Sequence, residues 1–220
     1  KVDKWLSIVG ALAIGFSSYF FIIALTCGNN SATAIQYQWQ NLSGIEKNML
    51  NFLENHDEQR IASDFFAGNG AKAIPAMIIS ACMNTNPVMI YFGQEFGEPG
   101  MDSEGFSGCD GRTTIFDYWS VSSIRRWRNK DKFDGKNLTD EEKKLQSFYR
   151  TLLNLCNTEK AIRNGEFFDL TYANLEGCSF NEHKQYAFLR KCDKDLILIA
   201  VNFGKENANV EFYNKIIKRC

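Results

Sequence analysis

Three consecutive polar residues near the first quarter of the chain have the types that could do chemistry. The stretch "NFLENHDEQR" places Asn55, His56 and Asp57 directly after an apolar run and among further charges. Amide, imidazole and carboxylate groups together can donate and accept the hydrogen bonds that orient a polar substrate. A loop that caps its own backbone has the same composition. The elements that position this stretch must therefore decide between a reaction centre and a surface loop.

One apolar run precedes these residues, and a helix-forming segment and a second apolar run follow them. The first run, 48–53, ends at the polar cluster, and the second, 87–93, ends just before Glu95. Residues 68–84 between them are rich in Ala, Ile and Met, and Pro75 starts or kinks a helix there. Strand, helix and strand in this order predict a βαβ unit with parallel, buried strands.

The polar residues lie where α/β folds place their functional groups, at the carboxyl ends of strands. His56 and Asp57 follow the first predicted strand, and Gln94 and Glu95 follow the second. Adjacent parallel strands would direct both clusters at one cleft. This placement favours a functional interpretation of His56 and Asp57, with loop capping as the alternative.

The second half of the chain changes from helical to strand-rich sequence. Residues 138–156 predict a helix that begins with a capping box of Thr139 and Glu142 and carries one apolar stripe. Beyond Gly165, short apolar segments alternate with turn residues, and "KCDKD" predicts a hairpin turn. We predict a separate antiparallel β domain that begins around residue 163.

Composition excludes several classes of function. The 220 residues include 25 Lys and Arg against 26 Asp and Glu without a basic block, so nucleic-acid binding is not expected. The seven cysteines are scattered without zinc or CxxC spacing, and the chain has only two histidines. We expect no metal site, and we expect most thiols to be small core or surface residues.

An uncharged run of 23 residues occupies 5–27, between lysines and the polar sequence that follows. It is long enough to cross a hydrocarbon layer ~30 Å thick. A membrane helix, a signal-peptide core and a buried helix all remain open. Residues 1–31 are therefore treated as a separate apolar segment. An export signal would imply a secreted or periplasmic protein, and its absence a cytoplasmic one. Because residue 1 is Lys, we expect the chain to be a piece of a longer protein.

Five stretches in register resemble the α-amylase superfamily of glycoside hydrolases. "FLENHD" at 52–57 resembles its fourth conserved region, and "PVMIYFGQEFGE" at 87–98 its eighth barrel strand. "GRTTIFDYW", "FYRTLLNL" with "AIRNG", and "YAFLRK…DLILIAVNF" resemble its last barrel helix and C-terminal domain. The resemblance implies an α/β fold, with the C-terminal portion of a (β/α)8 TIM barrel over 32–162. A C-terminal antiparallel β-sandwich domain would follow over 163–220.

The resemblance also implies a function and roles for named residues. It implies retaining hydrolysis or transfer at the α-glucosidic bonds of an oligo- or polysaccharide. Asp57 would bind hydroxyls of the reacting sugar ring and favour its oxocarbenium-like transition state, and His56 would bind the same ring. Asn55, Arg60 and Glu95 would be substrate-binding, the last two at the rim. No cofactor is expected in this chain, although the family allows calcium in the full-length enzyme.

The family's two reacting carboxylates have no match in the sequence. Neither the Arg-x-Asp motif of the nucleophile nor the acid/base Glu motif is found, and retaining hydrolysis needs both groups about 5–5.5 Å apart. We therefore expect this chain alone to be inactive. One hypothesis is a piece of an α-glucan-active hydrolase, which intact His56 and Asp57 favour. The other is a non-catalytic, membrane-anchored amylase-like partner protein, which a membrane helix at the N-terminus would favour.

Overall fold

A computed structural model describes residues 31–102, 109–118, 120–171 and 179–211. The helices are α1 (Thr33–Asn41), α2 (Ile74–Cys82), α3 (Ser122–Arg128), α4 (Asp140–Thr158) and α5 (Lys160–Asn164). The strands are β1 (Asn51–Phe52), β2 (Val88–Met89), β3 (Glu166–Asp169), β4 (Gln185–Cys192) and β5 (Asp195–Asn202). Short 3-10 turns occupy Glu46–Asn48, Gly70–Ala73 and Gln94–Phe96.

The chain divides into two compact units that interleave along the sequence. The described residues of the first unit lie within Lys1–Asn51, Pro75–Val88 and Leu155–Cys220, and those of the second within Phe52–Ile74 and Met89–Asn154. The residues with predicted chemistry all belong to the second unit. The domain boundaries expected from the sequence, 32–162 and 163–220, stay a prediction.

The predicted order of strand, helix and strand is present around α2. β1 and β2 pair with each other, and the Asn51 amide donates to the Pro87 carbonyl at 3.0 Å. Pro75 is the second residue of α2, where a missing amide is tolerated. Both strands have two residues, whereas the apolar runs have six and seven. Strand length is set by a hydrogen-bonded partner, and among the described residues each of these strands has only the other.

Helix α4 matches its prediction in detail. Thr139 Oγ1 accepts a hydrogen bond from the Glu142 amide at 3.2 Å, and Glu142 Oε2 accepts one from the Thr139 amide at 2.7 Å. This reciprocal pair is the predicted capping box, which satisfies two amides at the helix start. Leu145, Tyr149 and Leu152 are buried along one face. The apolar stripe is therefore core.

The strand-rich part of the first unit forms one antiparallel sheet in the order β3-β4-β5. Its two registers run from Glu166↔Lys191 to Asp169↔Phe188 and from Gln185↔Asn202 to Cys192↔Asp195. Asp193 in the β4–β5 turn has a φ of 54°, so the predicted hairpin is confirmed. Among the described residues of 163–220 this is one sheet, and the sandwich predicted over 163–220 stays a prediction.

A buried carboxylate links α1 to this sheet within the first unit. Asp169 Oδ2 accepts hydrogen bonds from Trp39 Nε1 and from the Tyr186 hydroxyl, each at 3.1 Å. Its Oδ1 accepts the Thr171 amide at 2.7 Å. A buried carboxylate with three donors is well satisfied, so Asp169 is a structural residue that joins helix and sheet.

The cysteines that the structure describes are free thiols. Cys82 Sγ on α2 lies 3.9 Å from Cys156 Sγ on α4, Cys109 is exposed and Cys192 is partly buried. In the part of the chain that the structure covers, no helix is long and apolar enough to cross a membrane. The uncharged run at 5–27 lies outside the described residues, so the predictions about it are not tested.

Candidate functional site

The polar stretch after β1 folds into a tight turn that exposes two of its side chains. Asn55 Oδ1 accepts hydrogen bonds from the amides of Asp57 at 2.9 Å and of Glu58 at 3.0 Å. The side chains of His56 and Asp57 are 57% and 62% exposed, with Nε2 and Oδ1 3.5 Å apart. Asn55 supplies the side-chain cap of the turn. The imidazole and the carboxylate are thereby presented together to solvent, where a ligand could reach them.

Arg60 lies inside the second unit and not at the rim where the sequence analysis placed it. Its side chain has no exposed surface. Nη1 donates to Glu54 Oε2 at 2.7 Å, Nη2 to the Phe92 carbonyl at 2.6 Å and Nε to Thr113 Oγ1 at 2.9 Å. The planar guanidinium donates to three acceptors at once in a fixed fork geometry, which the ammonium of a lysine does not have. The rim position predicted for Arg60 is therefore wrong in this structure.

Two aromatic rings complete the surroundings of the Arg60 guanidinium. Its central carbon lies 4.4 Å from the centre of the Tyr91 ring and 4.9 Å from that of Phe92. The Tyr91 hydroxyl donates to the Thr113 carbonyl at 2.9 Å, and burial raises the pKa of Tyr91. Ring faces attract a cation most strongly where water is excluded. The buried charge is thus compensated from several sides.

Glu54 is the residue of this network that the sequence analysis missed. Its side chain is 3% exposed, and Oε1 accepts the Ile61 amide at 2.8 Å while Oε2 pairs with Arg60. Burial raises the pKa of Glu54, while Arg60 and the Ile61 amide act in the opposite direction. The sequence contained one indication of this pair: Glu54 directly follows the apolar run 48–53, and Arg60 comes six residues later. Buried carboxylates of this kind need a partner.

Glu95 occupies the 3-10 turn that follows β2 and is partly buried. The glycines on either side of this turn, Gly93 and Gly97, have φ of 80° and 72°. Its Oε2 is buried and has no hydrogen-bond partner among the described residues. Burial is the main cause of its raised pKa, Arg60 lowers it and Glu54 raises it further. A carboxyl group perturbed in this way is typical of functional sites.

We predict that Glu95→Gln stabilises the free protein at neutral pH. Because the folded pKa of Glu95 is raised above its ordinary 4.5, the folded state holds this proton more tightly than the unfolded chain. The contribution of Glu95 to the free energy of unfolding therefore falls as pH rises from about 4.5 through the folded pKa. The melting temperature of Glu95→Gln should exceed that of the wild type near pH 7, with the difference vanishing near about pH 4. The exposed Asp64→Asn is the control, and a pH-independent difference would contradict the prediction.

An open depression lies beside the turn within the second unit. The Arg60 amide donates to the Gly111 carbonyl at 2.6 Å, and Gln59 Nε2 donates to the Asp110 carbonyl at 3.3 Å. These bonds join the loop after β1 to the segment 109–113. The depression has a volume of about 290 Å³ and is lined by Gln59, Phe65, Asp110 and Arg112. Phe65 is 60% exposed and was not singled out by the sequence analysis. An exposed aromatic ring among polar groups can bind a ligand with one apolar face.

Comparison with known proteins supports the resemblance drawn from the sequence. The family model for the alpha amylase catalytic domain matches residues 22–172, which is more than half of the chain. This chain belongs to the α-amylase family. The predicted superfamily is thereby confirmed. Among the described residues no group of three or more His, Cys, Asp or Glu side chains could hold a metal ion.

Relatives of this α-amylase family member include one curated protein and several solved structures. A cyclomaltodextrinase from Bacillus sp is 27% identical over 157 residues, which cover 71% of this chain. An alpha-amylase from H.orenii has a TM-score of 0.56 at 21% identity over 86% of this chain. AmyP, solved in complex with maltose, has a TM-score of 0.59 at 18% identity over 86% of this chain.

This family member is much shorter than its relatives. The chain spans 22% of the cyclomaltodextrinase, 38% of the alpha-amylase and 39% of AmyP. The structural matches support the predicted α/β fold with part of a TIM barrel. The roles of Asn55, His56, Asp57, Arg60 and Glu95 are not tested by these comparisons and stay predictions.

Proposed function

We propose that this chain is part of an α-glucan-active glycoside hydrolase in which His56 and Asp57 bind the sugar ring at the bond to be cleaved. The observation that carries the proposal is the exposed pair itself, with Nε2 and Oδ1 3.5 Å apart on a turn capped by Asn55. Membership of the α-amylase family supplies the reaction class. The pair offers a carboxylate acceptor and an imidazole donor to neighbouring ring hydroxyls.

In the proposed mechanism Asp57 stabilises the transition state and does not attack. Its carboxylate forms charge-assisted hydrogen bonds with ring hydroxyls, and these are stronger than bonds between neutral groups. Bonds that tighten as the ring flattens lower the barrier without tightening substrate binding equally. The nucleophile and the acid/base, which retaining hydrolysis needs, have no motif in this sequence. They are proposed to come from another part of the full-length enzyme.

An α-glucan is the substrate class that the surroundings favour. Phe65 presents an aromatic face in the depression beside the turn, with Arg112 and Asp110 on its wall. A sugar ring has an apolar face that packs on an aromatic ring and a polar edge that binds side chains of this kind. The neighbour AmyP was solved with maltose, and a variant of it with maltotriose. Maltotriose is therefore the probe of choice.

The test uses the two histidines as internal reporters. His56 belongs to the second unit and His183 to the first, and both side chains are exposed. We expect maltotriose to shift the ring NMR signals of His56 and to leave those of His183 in place. Asp57→Asn should weaken this binding, and the wild-type chain should release no reducing sugar from maltotriose. Shifts of both histidines, shifts of neither, or turnover abolished by Asp57→Asn would contradict the proposal.

A further inference from the structure

The loop between Glu54 and Ile61 is closed at its base by one buried carboxylate. Glu54, the first residue of the loop, accepts the Ile61 amide through Oε1 and the Arg60 guanidinium through Oε2. We infer that Glu54 and Arg60 are positioning residues, whose buried contact holds His56 and Asp57 in the geometry that binds sugar. This inference rests on the proposed function of His56 and Asp57, and it gives Arg60 a role other than direct contact with substrate.

The guanidinium of Arg60 ties the loop to two other segments of the second unit. Besides Glu54, it donates to the Phe92 carbonyl just after β2 and to Thr113 Oγ1 in the segment 109–113. A planar donor with three fixed acceptors allows little rotation. The base of the loop therefore has one position relative to the end of β2.

The backbone on the outgoing side of the loop is held as well. The Arg60 amide donates to the Gly111 carbonyl at 2.6 Å. Gly111 has a φ of +81°, and a Cβ there would lie 2.8 Å from Ser63 Oγ. Only glycine permits this approach without strain. Both sides of the loop are thus anchored, and Asn55, which orders the turn between them, directly follows Glu54.

The simpler alternative is that the ion pair only stabilises the core. The two interpretations differ at the exposed end of the loop, because a stabilising pair could be weakened without moving His56. Weakening a positioning pair would move His56, because Glu54 directly precedes Asn55 and the Asn55 side chain accepts the hydrogen bond of the Asp57 amide. The ring signals of His56 without ligand report this difference, because they respond to the neighbouring Asp57 carboxylate.

The decisive variant is Glu54→Gln, which keeps the shape of the side chain and removes its charge. We expect the ring signals of His56 to shift in the ligand-free protein while those of His183 stay in place. The dissociation constant for maltotriose should rise about tenfold, equivalent to one lost hydrogen bond at ~1.4 kcal/mol. The matched control is Glu142→Gln in the same unit, which weakens the Arg126–Glu142 pair. It should change the melting temperature and leave His56 unmoved.

Unchanged His56 signals in folded Glu54→Gln would overturn the inference, as would an equal shift in Glu142→Gln. If Glu54→Gln does not fold, Arg60→Lys decides, because it keeps a buried positive charge and removes the rigid guanidinium fork that contacts Glu54, Phe92 and Thr113. A shift confined to His56 then supports the inference, and no shift overturns it. The ligand-free spectra test the positioning of the loop, whereas failure of wild-type maltotriose binding would count against the proposed function alone.

Discussion

Replacing Glu54 by alanine is expected to destabilise the protein by about 3–5 kcal/mol, the range for breaking a buried ion pair by removing one partner. Arg60 has no exposed surface, so its guanidinium would stay buried without its carboxylate partner. Its charge would be left with the Phe92 carbonyl, Thr113 Oγ1 and two ring faces. Chemical denaturation followed by circular dichroism would measure the lost free energy of unfolding.

Two controls separate this effect from the loss of any charged residue. Arg60→Met leaves the Glu54 carboxylate behind, but that group can take up a proton. Its destabilisation should therefore be smaller near pH 5 than near pH 7, because proton binding to the folded variant offsets it. Glu142→Ala removes the partner of Arg126, which is 35% exposed, and should cost less. Equal losses of unfolding free energy in Glu54→Ala and Glu142→Ala would contradict the prediction that breaking the buried pair costs more.

In a full-length enzyme that contains this chain, Asp57→Asn is expected to lower kcat by about 10²–10³, the typical cost of one preorganised electrostatic contact. The lost interaction acts mainly in the transition state, so KM should change much less than kcat. Steady-state kinetics on a maltooligosaccharide, with wild type and variant in parallel, would measure both constants.

The structural alternative for Asp57 predicts a different pair of results. If Asp57 only stabilised the loop, the nearly isosteric Asp57→Asn would keep kcat within about threefold, or ~0.6 kcal/mol in activation free energy. The side chain that caps the turn is that of Asn55, so Asn55→Ala is the matched variant for loss of the cap. We expect Asn55→Ala to lower the melting temperature more than Asp57→Asn. A normal kcat with a lowered melting temperature in Asp57→Asn would assign it a structural role.

Local features of this fold were predictable from the sequence because their causes are local. The capping box of α4 requires only Thr139 and Glu142 three positions apart, and both hydrogen bonds are present. The β4–β5 hairpin follows from two apolar segments around a short polar turn. The α-amylase resemblance, carried by short stretches such as 52–57, was likewise readable without coordinates and is confirmed by the family match.

Positions that depend on distant partners were not predictable. Arg60 and Glu95 were both expected at a rim, and the fold buries the first completely and the second partly. Nothing within a few residues of Arg60 indicates that its acceptors include Phe92 and Thr113, which lie 32 and 53 positions away.

The sequence by itself determined the family, the order of the elements and the residue types offered at the turn. Only the tertiary structure decided which charges face inward. The physical reason is that burying a charge costs free energy unless partners surround it, and the partners of Arg60 meet only when separate segments pack together. Glu54 escaped notice for the same reason, since its role depends on where Arg60 points. His56 and Asp57 are presented to solvent on a loop whose base is held by that buried pair.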